Sequence, residues 1–268
     1  MVLGNEGSYA FDKLKNKEDE FKRLLQQATM LPDLEINILG QHGLKEGIRI
    51  LDAACGPGAI SCLIKQRFNN VDVVGSDLNS NLLEVAAKTA DKFGHQIEFR
   101  QEDVYNLPFS EEFDFAYTRF LFQHLQKPEQ ALRSLANALR PGGRLCIVDV
   151  DDGWLNLYPE LSAFEQICRK ARENQANLGG DRLVGRKMRN YLQDAGFSEI
   201  KVDVVAINSD QIGINDFLKI TTGFKAEALA TPGDKAENEF LMEEIWKAAK
   251  EKDLFGIVGV FVASGMKK

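Results

Sequence analysis

Leu51-Asp52-Ala53-Ala54-Cys55-Gly56-Pro57-Gly58 is the stretch of this 268-residue chain with the clearest chemical use. Gly56 and Gly58 permit a tight turn and let a ligand approach the backbone without a Cβ in the way. Asp77 stands at the end of the next apolar run. A carboxylate there either accepts both hydroxyl hydrogens of a ribose or caps the helix that begins near Asn79. Asp103, in Gln101-Glu102-Asp103-Val104, closes a third run. An acceptor at that height suits an adenine amino group, with Leu78 and Val104 as apolar neighbours of the base. Ser61 stands where the dinucleotide fingerprint has its third glycine, which argues against NAD or FAD.

Further along, His124 is a candidate general base, with an ordinary pKa near 6.5. The alternative reading is a residue that caps or packs its own helix. Arg119 either meets a ligand carboxylate or pairs with Asp149 or Asp151. In the acidic run Asp149-Val150-Asp151-Asp152, Asp152 and the nearby Trp154 can grip an amine or an aromatic group, or simply face water. Tyr158, Phe164 and Trp246 read as core aromatics.

These residues need a frame that brings strand ends together, and the hydrophobic pattern predicts one. Ile48 to Ala54 is a short apolar run before a glycine turn, as a buried strand requires. Helical spacing follows from Ala59 to Phe68, and Val71 to Gly75 reads as a second strand. Asn79 to Phe93 is a helix with Asn79 or Ser80 as N-cap and Gly94 as its stop. Ile97 to Arg100, Phe113 to Tyr117 and Leu145 to Val150 are further strands, with a helix from Glu129 to Leu139. Strands alternating with helices imply a parallel sheet. Residues 154–176 and 182–195 then look helical, and Glu199 to Ile207 and Gly256 to Ala263 supply two late strands. Residues 18–31 and 34–39 carry helical spacing before the first strand. The expected architecture is one α/β domain, 1–268. Its core spans 44–150 plus the strands near 199–207 and 256–263, under a helical cap from 1–43, 151–196 and 208–255.

Composition narrows the classes further. The chain is 44% hydrophobic and 27% charged, which suits a globular domain rather than a fibrous or disordered one. Its net charge of −7 offers no general field for nucleic acid or an anionic membrane. Four cysteines without a CxxC pair and only three histidines leave no zinc pattern, so no metal is expected. The first twenty residues hold no apolar leader, and no run approaches a membrane span. The expectation is a reduced, cytoplasmic, soluble protein with a small-molecule partner; a homodimer is compatible with it.

In its order of motifs the sequence resembles the class I S-adenosylmethionine-dependent methyltransferases of small-molecule type. Ile50 to Gly58 looks like the family's first motif, Gly75-Ser76-Asp77 its second and Glu102 to Phe109 its third. Phe113 to Phe120 with Gln123-His124-Leu125 resembles the fourth, and Leu139-Arg140-Pro141-Gly142-Gly143 precedes the fifth strand as in the family. The resemblance implies a Rossmann-like, doubly wound, seven-stranded sheet in the order 3-2-1-4-5-7-6, the last strand antiparallel. It implies S-adenosyl-L-methionine held by Asp52, Ala54, Gly56, Gly58, Asp77, Leu78, Asp103, Val104 and Arg119. Arg23 and Gln27, four apart on a helix and helped by Tyr9, would pair the cofactor's carboxylate. Phe120, Asp152 and Trp154 would face the substrate. The chain departs from the family at Ala53-Ala54, where a glycine often precedes the cysteine, so a slightly tighter turn is expected. Thr118 to Leu121 replaces the Asn-Pro-Pro-aromatic tetrapeptide of base methylation, which disfavours a DNA substrate. The reading is methyl transfer to oxygen or nitrogen of a small metabolite by in-line displacement, where proximity and water exclusion do most of the work. An NAD-dependent oxidoreductase and a non-catalytic cofactor-binding module are the alternatives.

Overall fold

The computed structural model describes residues 23–26, 28, 30–68, 70–227, 233 and 235–268. The expected strands form β1 (Arg49–Ala53), β2 (Asp72–Asp77), β3 (Glu98–Gln101), β4 (Phe113–Arg119), β5 (Leu139–Tyr158), β6 (Ser198–Asn208) and β7 (Phe255–Met266). They make one seven-stranded sheet in the order β3-β2-β1-β4-β5-β7-β6. The neighbours from β3 to β5 run parallel, and β7 is antiparallel to both β5 and β6. Ile50 stands level with Val73 and Phe115, and Leu51 with Val74 and Ala116. Successive strand side chains point to opposite faces. Ile50, Val73, Phe115 and Val148 therefore enter one core layer, and Leu51, Val74, Ala116 and Ile147 the other.

The helices cover both faces. α1 (Pro32–Gln41) starts on a proline whose fixed φ suits the first turn, and α2 (Ala59–Arg67) starts directly after Gly58. Leu39 of α1 and Ile64 of α2 fill the layer around Ile50. α3 (Ser80–Lys92) is capped by Asn79, whose side chain accepts from the backbone N–H groups of Asn81 and Leu82. α4 (Pro128–Ala138) and α6 (Met188–Asp194) pack Leu132, Leu135, Met188 and Leu192 into the opposite layer. α5 (Ser162–Asn177) and α7 (Lys235–Glu251) belong to a third cluster, in which Phe164, Ile167 and Ile245 surround Leu155, Leu157 and Phe217. Among the described residues no helix is long and apolar enough to cross a membrane, and no cluster of His, Cys, Asp or Glu is arranged to hold a metal ion.

Three sequence expectations shift. Residues 154–158 are strand and not helix, because Leu155 to Tyr158 pair with Phe255 to Val258 of β7. Leu155 and Leu157 alternate inward at the strand period, and α5 begins only at Ser162. The segment 182–195 splits into a 3₁₀ turn at Gly185–Lys187 followed by α6. Because α6 packs on the main sheet beside α4, residues 188–194 lie in the sheet's own helix layer rather than in a cap. β5 also starts earlier than expected, at Leu139, which pairs with Phe113.

Candidate active site

The carboxyl ends of β1 to β5 open into one cavity of about 600 Å³, closed over by α1 and by the segment between β6 and α7. That volume lies within the roughly 300–1,000 Å³ usual for ligand sites. The floor is the turn after β1. Ala54 and Gly56 both have positive φ there (60° and 54°), and a Cβ built on Gly56 would meet no atom within 4 Å. Ala54 thus holds the left-handed conformation that a glycine would adopt without strain. Gly58 plays another part: it stands behind the turn, where a Cβ would come within 2.8 Å of Ala86 Cβ and 3.2 Å of Phe99.

Asp77 braces the turn from the end of β2. Its Oδ2 accepts from Gly56 N at 2.9 Å and its Oδ1 from Asn79 N at 2.9 Å. Asn79 is the cap of α3, so the capping alternative for Asp77 gives way to a brace between two loops. Asp103 Oδ1 accepts from Tyr105 N at 2.9 Å, and Leu78 and Val104 line the cavity on either side. Beneath the turn, Ser61 donates to Asp52 Oδ2 at 2.5 Å. Burial pushes Asp52 up to about 7 despite that bond. The serine in place of the third glycine therefore satisfies a buried carboxyl group, a need no spacing argument reveals.

The wall above β4 is built differently from expectation. Arg119 pairs with neither Asp149 nor Asp151; its Nε meets both oxygens of Glu35, at 3.0 and 3.1 Å, and its guanidinium lies 4.3 Å over the Phe120 ring. Tyr117 donates its hydroxyl to the same Glu35. Asp149 instead accepts backbone N–H groups of Gln123 and Val150, and Asp151 pairs with Arg186. Phe120 lines the cavity with a φ of 53°. His124 lines it as well, with Nδ1 3.2 Å from Gln175 Nε2. Burial lowers its pKa to about 3, with Arg182 and Arg23 adding to the shift.

Asp152 reaches the cavity, but both its oxygens are taken. Arg182 binds it in bidentate fashion at 2.8 and 2.8 Å, and Lys225 Nζ lies 3.1 Å away. Burial alone would raise Asp152; the two cations outweigh it and hold the carboxyl at about 2. The expected grip on an amine is thereby corrected, since the carboxylate is already neutralised by protein cations. Trp154 is corrected too. It lies outside the cavity wall, half-exposed, with its ring edge against Phe261 at 5.6 Å and its Cβ crossing Gly259. Arg23 lines the cavity, while Tyr9 and Gln27 lie outside the described residues. Glu35, Arg182 and Lys225 escaped sequence reasoning. Their partners are 84, 30 and 73 residues away, and no periodicity links such pairs.

Known proteins agree with this geometry. Residues 50–143 match the model of a methyltransferase domain. The chain is 35% identical over 102 residues to the demethylmenaquinone methyltransferase of Thermus thermophilus, covering 38% of this chain and 46% of that one. It is 28% identical over 158 residues to phosphoethanolamine N-methyltransferase 3 of Arabidopsis thaliana, covering 59% of this chain and 30% of that one. The chain spans about half the length, or less, of most of the curated relatives it matches. Among solved structures, phosphoethanolamine N-methyltransferase 2 of Haemonchus contortus in complex with S-adenosyl-L-methionine superposes with a TM-score of 0.62 at 18% identity, over 97% of this chain and 60% of that one. A methyltransferase from Aquifex aeolicus gives 0.52 at 22% identity, over 71% and 93%. Sheet order, glycine turn and domain match converge: residues 50–143 match a methyltransferase domain, on a sheet with the fold of S-adenosylmethionine-dependent methyltransferases.

Proposed function

We propose that the protein transfers a methyl group from S-adenosyl-L-methionine to an oxygen or nitrogen of a small molecule. One observation carries the reading: the Gly56 turn, Asp77 and Asp103 end three neighbouring parallel strands and open into the same cavity. The residues present fit the cofactor. Space is clear above Gly56, and the Asp77 carboxylate, beyond the backbone N–H groups of Gly56, Asn79 and Leu78, keeps acceptor capacity for a ribose hydroxyl. Leu78, half-exposed, and Val104 offer apolar surface to an adenine, whose amino group meets Asp103. Asp52 and Ala54 border the methionine end, and Arg23, which lines the cavity, pairs its carboxylate. Bound there, the cofactor supplies an activated methyl group on a sulfonium.

The chain itself positions and dries the reacting atoms. Glu35 ties α1 to Arg119 and so lays that helix over the cavity. Arg119 thus acts as an anchor for α1. His124, neutral and with its pKa near 3, is a weak base at neutral pH. The acceptor atom therefore attacks already deprotonated or loses its proton to water, and His124 helps to shape the wall. Calorimetric titration tests the reading. S-Adenosylmethionine and S-adenosylhomocysteine are expected to bind and NAD is not. Asp77→Asn should weaken both by about 1–2 kcal/mol, the worth of charge-assisted hydrogen bonds. Binding of NAD alone would end the proposal, as would absence of turnover across a panel of amines, alcohols and acids.

A further inference from the structure

The cavity has two chemically distinct ends. Near β2 and β3 its charged groups are Asp77, Glu102 and Asp103; beyond β5 they are Arg182, Lys225 and Asp152. The second end stands two strands away from the Gly56 turn, roughly 10 Å at the usual strand spacing. There two cations face Asp152, and the further acid acting on Arg182, Asp149, is pushed by burial up to about 7, so the cluster keeps a net positive charge. Its members are buried: Arg182 is 9% exposed, Asp152 5% and Lys225 4%. A buried excess charge is costly unless something compensates it.

The donor inventory points to where compensation enters. Arg182 spends Nε and Nη2 on Asp152, and Nη1 on Gln123 Oε1 at 2.7 Å and Gln175 Oε1 at 3.4 Å. An ammonium has three donors. Lys225 gives one to Asp152 and has only the Cys168 sulfur, at 3.8 Å, as a further acceptor among the described residues. Beside it the wall turns apolar, with Leu155, Val205, Ile207, Ile220 and Val258 lining the cavity.

We propose that this end of the cavity takes an acceptor molecule with an apolar body and a single carboxylate, anchored on Lys225. One negative charge neutralises the cluster, whereas a phosphate dianion overshoots it and an amine repels it. The inference rests on the methyltransferase reading of the same cavity and names its class of substrate. Arg182 holds Asp152, and Asp152 in turn orients Lys225, so Arg182 and Asp152 are positioning residues and Lys225 alone touches the ligand.

The test compares eight-carbon probes on the full chain by competition or calorimetry: octanoate, octanol, octylamine and octyl phosphate, with acetate to read the apolar body. Octanoate is expected to bind at least about tenfold more tightly than octanol, octylamine or acetate, and octyl phosphate no more tightly than octanoate. Lys225→Met should bring octanoate to the level of octanol while S-adenosylhomocysteine binds as before, and Lys225→Arg should restore the preference. Octanol or octylamine equal to octanoate, a preference for octyl phosphate, or an unchanged preference in Lys225→Met would each overturn the inference. If Lys225→Met fails to fold, the wild-type comparison decides alone. Titration with S-adenosylhomocysteine separates the two readings. Cofactor binding without carboxylate preference removes this inference only, whereas no cofactor binding removes the methyltransferase reading and leaves the probe comparison intact.

Discussion

Gly56 and Gly58 lie two residues apart in one turn, yet they serve different ends. Both have positive φ, at 54° and 72°. An alanine is strained at either position by roughly 1–2 kcal/mol. At Gly56 the new methyl would stand in open space, where the ligand belongs; at Gly58 it would strike Ala86 and Phe99. Gly56→Ala should therefore lower stability by about 1 kcal/mol and weaken cofactor binding tenfold or more. Gly58→Ala should lower stability by about 2–4 kcal/mol, strain and overpacking together. Urea melts with parallel titrations check both. Equal stability losses would show that the turn does not divide its roles. The sequence made both glycines visible, but only neighbours 28 and 41 residues away distinguish them.

At the scale of elements, α1 is the piece that completes the site, and its attachments are polar. Its first turn holds Arg119 and Tyr117 through Glu35. Past its last turn, His42 Nδ1 lies 2.8 Å from Ser264 Oγ and Nε2 lies 2.9 Å from Asp203 Oδ2. Those three residue types also make nucleophilic sites. Ser264 has no exposed surface, however, so here they clamp α1 to the β6–β7 edge. The helical residues before α1 carry Arg23 to the cavity. If that segment reads the cofactor's carboxylate, Arg23→Ala should weaken S-adenosylmethionine and S-adenosylhomocysteine alike by about 1.5–3 kcal/mol and leave adenosine nearly unchanged. An equal loss with adenosine would show that Arg23 supports the cavity without reading the carboxylate.

Across the whole molecule, buried titratable groups oppose one another. Burial lowers His42 and brings His124 to about 3. Their folded values lie below the unfolded value of 6.5, so the stability they contribute is complete above that pH and is lost as pH falls. Asp52 and Asp149 are pushed by burial to about 7, above the unfolded 3.8, so their contribution is complete below 3.8 and is lost as pH rises through 7. Between pH 6.5 and 4 these slopes offset, and a shallow profile is expected. His124→Gln removes one of them. Relative to wild type, the variant should gain about 1 kcal/mol for each pH unit of acidification across that window. A constant difference in urea melts from pH 6.5 to 4 would show that His124 is not held neutral. Its turnover at pH 7 should fall less than tenfold, as suits a wall residue rather than a base.

What the sequence determined by itself was local and periodic. Alternating apolar runs placed the seven strands, and turn and capping residues such as Gly56, Asn79 and Gly94 placed the joints between them. These features follow from neighbours a few residues apart. Leu155 to Tyr158 mark the limit: their spacing suits a helix as well as a strand, and only pairing with β7 decided between them. The charged partners belong entirely to the tertiary structure. Glu35 found Arg119, and Asp152 found Arg182 and Lys225, because the sheet order sets β4 and β5 side by side and folds α1 and the β6–α7 segment over their ends. A carboxylate's partner depends on which chain segments share a low-dielectric space, and that space exists only after the chain has closed on itself.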